Sequence, residues 1–187
     1  MVLIIKEEGV TSDYADANFN EASQFDTEFE PVNLEADAPF LQMFTSGTVG
    51  KSKGVSVPLA ALSTFYLYMR YAIDLRETDN YWNMADPGWA YGLYYAITGP
   101  LLMGATTHFN EAGFDAQNTF DFLVRHKITN LASSPTAFRM MKSSGVFDNV
   151  ADKLSLRVAN SAGETLNTEV VSWVQQNLGC AIFDQYG

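Results

Sequence analysis

Two hydrophobic periods alternate along residues 40–187. "LQMF" and "KGVSV" are short apolar runs that read as strands on either side of a loop. "LAALSTFYLYMRYAI" is long and free of Gly and Pro, which predicts a helix. "NYWNMAD" predicts a strand, "WAYGLYYAIT" an apolar helix with a small-residue face, and "ATTHFN" a further strand. "DAQNTFDFLVRHKI" predicts an amphipathic helix capped by Asp115, with Phe120, Leu123, Val124 and Ile128 at helical spacing. "TNLASS" reads as a buried strand, and the next helix starts with Ser134 as cap and Pro135 at its first position. "LRVANSAG" is a strand, "NTEVVSWVQQNLG" a helix capped by Asn167 and stopped at Gly179, and "CAIFDQ" the last strand. Strands alternating with helices imply an α/β fold: a layered sheet, mostly parallel, with helices on both faces. Ligands of such sheets gather at the carboxyl ends of the strands. No internal repeat is visible.

Composition refines this. Of the 187 residues, 47% are hydrophobic, enough for the core of one domain with an appendage. The net charge of −11 is concentrated in residues 1–38, where ten acidic side chains face Lys6 alone. That segment reads as a solvated, partly extended acidic lead-in, and 39–187 as the folded domain. An acidic chain lacks the basic face that nucleic acid requires. Pro87 to Asn110 holds no Asp, Glu, Lys or Arg, a length that can span a bilayer. Gly88, Gly92, Gly99, Pro100 and Gly104 interrupt it, which favours a buried helix and strand. Cys180 is the single cysteine, so no intrachain disulfide forms and a reducing, cytoplasmic setting is the simpler expectation. The first residues lack the basic n-region and long apolar core expected of a secretory signal.

The loop in "MFTSGTVGKSKGVSV" carries the chemistry. Glycines let a backbone approach a ligand, and successive N–H groups with hydroxyls and ammonium groups suit phosphate. Its spacing is not that of the Walker loop, and a strand follows it rather than a helix. On spacing alone, a hairpin loop and a phosphate site stand equal.

The order of residues goes further. "FTSGTVGKSKGV" resembles the phosphate loop of the adenylate-forming (AMP-binding) superfamily, with Val49 for a threonine and Ser52 for a proline. "ADPGWAYGLYYAITGPLLMGA" is similar to the acyl-CoA synthetase segment lining the acyl pocket and pantetheine tunnel, and "SSPTAFRMM" to a helix start of that family. "NSAGETLN" resembles the adenine-binding motif, with Thr165 for proline, and "DQYG" the front of Asp-x-Tyr-Gly-x-Thr-Glu. These matches cover about residues 40–187, within the large N-terminal domain of an acyl-CoA synthetase-like fold. The chain stops inside the last motif, so it reads as a fragment. The family's magnesium carboxylate and catalytic lysine lie outside it.

The resemblance implies roles residue by residue. Thr45, Ser46, Gly47, Thr48, Gly50 and Lys53 would cradle the ATP phosphates, with Lys51 at a variable, solvated position. Gly163, Glu164, Thr165 and Asp184 would line the adenine site, and Tyr186 would stack on the base. Trp89, Ala90, Tyr91, Gly92 and Gly187 would border the acyl pocket, and Ser134 the pantetheine arm. Short-chain acetyl-CoA synthetases carry a tryptophan matching Gly187, so glycine there implies an acid longer than acetate. The implied protein is an AMP-forming acid–CoA ligase of fatty-acid metabolism that uses a carboxylic acid, ATP, Mg2+ and CoA. The fragment by itself is expected to be inactive and to self-associate.

Two rivals remain. One is an amino-acid adenylation domain or luciferase-like enzyme of the same superfamily; the other is a nucleotide-binding or interaction module without turnover. His108 and His126 lie in no metal or triad pattern, with His126 read as a surface residue, and Cys180 reads as packing.

Overall fold

The structure, a computed structural model, describes residues 3–4, 17–18, 30–45 and 52–186. Contacts divide the chain into two units, Met1–Glu35 and Ala36–Gly187. In the first, β1 (Leu3–Ile4) and β2 (Ala17–Asn18) pair in parallel. The rest of the expected lead-in lies mostly outside the described residues.

The second unit opens with an antiparallel hairpin of β3 (Pro39–Thr45) and β4 (Lys53–Pro58). Five strands then form a parallel sheet: β5 (Tyr81–Asn83), β6 (Thr107–His108), β7 (Asn130–Ser133), β8 (Val158–Ala162) and β9 (Ala181–Gln185). Their order across the sheet is β6-β5-β7-β8-β9. This is the mixed α/β architecture that the alternating pattern predicts.

Strand parity sets two unlike faces. Trp82, Leu131, Ala159 and Ile182 share a register and bury with Cys180 in the larger core. Helices α4 (Ala116–Arg125), α5 (Pro135–Ser144) and α6 (Thr168–Asn177) add Leu123, Phe138, Met141, Val170 and Val174 to that core. Their starts follow the expected caps. Asp115, Ser134 and Asn167 each accept a hydrogen bond from the backbone N–H three residues on. Gly179 takes φ of +75°, the left-handed turn that lets the chain leave α6 for β9. Val124, expected on the core face, is 40% exposed, and Thr119 is buried in its stead one turn before Leu123.

The other face carries Tyr81, Asn83, Asn130, Ala132 and Asn160. A smaller core of Met69, Ile73, Leu75, Tyr81 and Ala132 covers it. The expected helix over 59–73 splits into α1 (Ala61–Leu67) and a π-helical turn, Tyr68–Ala72. The apolar helix likewise runs as α2 (Ala90–Gly92), a π segment Leu93–Thr98, and α3 (Gly99–Leu102). Among the described residues no helix is long and apolar enough to cross a membrane.

Candidate functional site

A cavity of about 1050 Å³ opens at the carboxyl ends of the sheet. Every strand of the parallel sheet leads into it: Asn83 and Met84 from β5, Phe109 after β6, Ser133 and Ser134 from β7, Ala162–Glu164 after β8, and Gln185 from β9. The two π segments supply Tyr68, Tyr94 and Tyr95. Such segments inside helices recur at functional sites, and here they bring three aromatic rings to one wall. Tyr68 and Tyr95 stack at 4.1 Å between centroids.

A chain of amides fixes the floor. Tyr68 and Tyr91 hydroxyls donate to Gln185 Oε1 at 2.8 and 3.1 Å. Gln185 Nε2 donates to Ala72 O and Asn160 Oδ1, both at 2.8 Å. Asn160 Nδ2 donates to Asn130 Oδ1 at 2.9 Å and Ile73 O at 3.1 Å, and Asn130 Nδ2 to Ile73 O at 3.0 Å. Burial, with the neighbouring Tyr95, pushes the Tyr68 hydroxyl up to about 12. Burial pushes Tyr91 higher still, so both are neutral donors at physiological pH.

At the rim, Glu164 meets Thr136 Oγ1 at 2.7 Å and Arg139 Nη2 at 2.5 Å. These bonds, Thr136 first, hold its carboxyl below the ordinary value. Gly163, at φ of +92°, makes the turn that swings Glu164 over α5.

The residues singled out in the sequence fall into three places. Trp89, Ala90, Tyr91, Ser134, Gly163 and Glu164 border the one cavity. Trp89 is 73% exposed at its mouth, Gly92 is buried behind Tyr91, and Ser134's hydroxyl is engaged as the α5 cap. Thr165 is exposed just past the rim. Asp184 and Tyr186 border a second hollow of about 560 Å³ with Arg70 and Tyr71, and Tyr68 and Gln185 adjoin both hollows. Thr45 and Lys53 pair across the β3–β4 register, so the hairpin holds the ends of the glycine-rich loop together. Ser46, Gly47, Thr48, Gly50, Lys51 and Gly187 lie outside the described residues. Among the described residues no group of three or more His, Cys, Asp or Glu is placed to hold a metal. His108 and His126 lie 5.2 Å apart beside Phe122, and His126 is half-buried rather than fully exposed. Burial, then His126, lowers the pKa of His108.

The model of the AMP-binding enzyme family matches residues 2–187. The chain belongs to that family. Acetyl-coenzyme A synthetase of Dictyostelium discoideum is 40% identical over 166 residues, 83% of this chain and 24% of that protein. Acetyl-coenzyme A synthetase of Bdellovibrio bacteriovorus is 30% identical over 197 residues, 99% of this chain and 30% of that protein. The crystal structure of Brucella canis acyl-CoA synthetase superposes with a TM-score of 0.83 at 49% identity, over 97% of this chain and 33% of that one. The chain thus spans about a quarter to a third of the length of these relatives.

Three cavity residues carried no sequence signal of their own. Asn83 sat inside a strand pattern, Gln185 in the spacer position of "DQYG", and Tyr68 in an unbroken helix pattern. Strand parity points to the first two, because a polar residue at the carboxyl end of a buried parallel strand has a cavity or a partner to face.

Proposed function

We propose that this chain belongs to an AMP-forming acyl-CoA synthetase. In the first step a carboxylate oxygen attacks the α-phosphorus of ATP, the α–β bridging bond breaks, and pyrophosphate leaves. In the second, the CoA sulfur attacks the acyl carbon, AMP leaves, and the thiol proton passes to solvent. One observation supports the reading above others. The Trp89–Tyr91 stretch and the Gly163–Glu164 turn, far apart in sequence, share a single cavity at the strand ends.

The chain's own part is binding and positioning. Thr45, Ser46, Gly47, Thr48, Gly50 and Lys53 would neutralise charge on the leaving pyrophosphate, and Mg2+ when bound would add to that neutralisation. Gly163, Glu164, Thr165, Asp184 and Tyr186 would receive adenine, with Glu164 fixed in place by Thr136 and Arg139. Trp89, Ala90, Tyr91 and Gly187 would enclose the acyl group, with Ser134 beside the pantetheine arm. The acid is longer than acetate, of fatty-acid type, because residue 187 is glycine where short-chain acetyl-CoA synthetases carry a tryptophan. Each methylene it buries contributes about 0.8 kcal/mol. A cytoplasmic location and self-association at the β9 edge belong to the same proposal.

Pyrophosphate exchange in the intact gene product tests this. Lys53→Ala should cost about 1.5–3 kcal/mol in the adenylation step, the value of a charge-assisted bond to phosphate, and Lys51→Ala far less. Equal losses from the two lysines contradict the phosphate assignment. In the same assay, acetate emerging as the best acid contradicts the acyl assignment.

A further inference from the structure

Gln185 commits its whole amide to the surroundings of the cavity. Oε1 accepts from the Tyr68 and Tyr91 hydroxyls, and Nε2 donates to Ala72 O and Asn160 Oδ1. A glutamine offers two acceptor and two donor places, so all four are filled by the protein itself. The orientation of the amide follows from its partners, since a backbone carbonyl such as Ala72 O accepts and never donates. Tyr68 and Ala72 are the two ends of the first π segment, and Tyr91 lies in α2, directly before the second. One side chain thus grips both ends of one π turn and the approach to the other. The rings it holds belong to the cavity wall: Tyr68 stacks on Tyr95 at 4.1 Å, and Tyr91 meets Tyr95 edge-on at 5.4 Å. The strand itself does not depend on these bonds, because the ladder to β8 pairs Asp184 with Ser161 and Gln185 with Ala162.

We propose that Gln185 is a positioning residue of the acyl site: through Tyr68 and Tyr91 it fixes the aromatic wall against which the acid's tail packs, and so sets which tail fits. This rests on the reading of the cavity as the acyl site. Gln185 touches no reacting atom and acts only through the two tyrosines. A ring held by its hydroxyl presents one fixed surface. A ring released from it samples other positions, and the acid must order it on binding. That cost falls on the acid rather than on the nucleotide, because the ladder to β8, and not this side chain, places Asp184.

The test uses ATP-dependent activation of straight-chain acids from propanoate to octanoate by the intact gene product. Gln185→Met keeps the length of the side chain and removes all four bonds. It should raise KM for the best acid by roughly tenfold, leave KM for ATP within about twofold, and flatten the preference among chain lengths. Tyr91→Phe removes one of the four bonds and should raise KM for the acid by less, again without moving KM for ATP. The double variant should do no more than Gln185→Met alone, because the Tyr91 hydroxyl acts through Gln185. A residue that merely stabilises the fold would move both KM values together. KM for the acid unchanged, both KM values rising alike, an unaltered chain-length preference or fully additive effects each overturn the proposal. Circular dichroism checks folding. If Gln185→Met fails to fold, Tyr91→Phe decides by the same comparison of KM values. If the wild type activates no acid at all, the ligase reading fails separately. Ligand-observed NMR then compares hexanoate binding to wild type and Tyr91→Phe, and equal binding, or none, overturns the role of Gln185.

Discussion

Gly92 sits where its neighbours leave no space for a side chain. A Cβ there would lie 2.1 Å from the Asp86 carbonyl oxygen and 2.5 Å from its carbon, both backbone atoms that cannot swing aside. The Asp86–Trp89 turn is itself fastened, with Trp89 N–H donating to Asp86 O and Gly88 N–H to Asp86 Oδ1. Gly92→Ala should therefore displace the turn that carries Trp89 to the cavity mouth. We expect a loss of about 1–3 kcal/mol in denaturant unfolding, the usual cost of overpacking. A variant as stable as the wild type contradicts the contact. Gly92 entered the sequence reading through its motif, as a pocket residue, and its geometry gives it a steric reason besides. Asn83 and Gln185 were not legible in the same way. Periodicity reports which face a side chain takes, but not whether its polar atoms find partners once it is there.

The elements divide along similar lines. α4, α5 and α6 were legible because each announces its start with a capping side chain and its core face with apolar spacing. The π turns at Tyr68 and Leu93 were not, since a shift from i+4 to i+5 bonding changes no composition. Strand β5 has a neighbour on each side, whereas β6 and β9 are the two edges of the sheet; β6 is only two residues long, and β9 is five, with Phe183 50% exposed. An open edge with exposed aromatic groups is a template for pairing with another chain. The 187-residue chain should therefore associate with itself in a concentration-dependent way, and Phe183→Lys should weaken that association. Light scattering showing a monomer across micromolar concentrations contradicts this.

At the scale of the molecule, one ionic cluster ties the amino ends of the strands opposite the cavity. Arg157, before β8, reaches Asp79 Oδ2 at 2.7 Å and Asp74 Oδ2 at 2.5 Å, and Thr129, before β7, donates to Asp79 Oδ1 at 2.7 Å. Burial by itself would raise the Asp79 carboxyl, but the bonds from Arg157, Thr129 and the Arg76 N–H outweigh it, and its pKa falls. Its contribution is whole above the unfolded value of about 3.9 and is lost as the pH drops through the lower folded value. Stability should decline from about pH 5 downward, and Asp79→Asn should flatten that decline. An unchanged slope in acid unfolding contradicts the assignment. The amide floor has a different consequence, which concerns time. Tyr68 finds Gln185 across 117 positions, and Asn160 reaches Ile73 across 87. Contacts of such separation form late, since the intervening chain must be gathered before they reward the search. During synthesis the hairpin and its glycine-rich loop leave the ribosome well before Gln185 does. The cavity therefore matures only after Gln185 has emerged, and a nascent chain holds the β3–β4 hairpin before it holds the wall of the cavity.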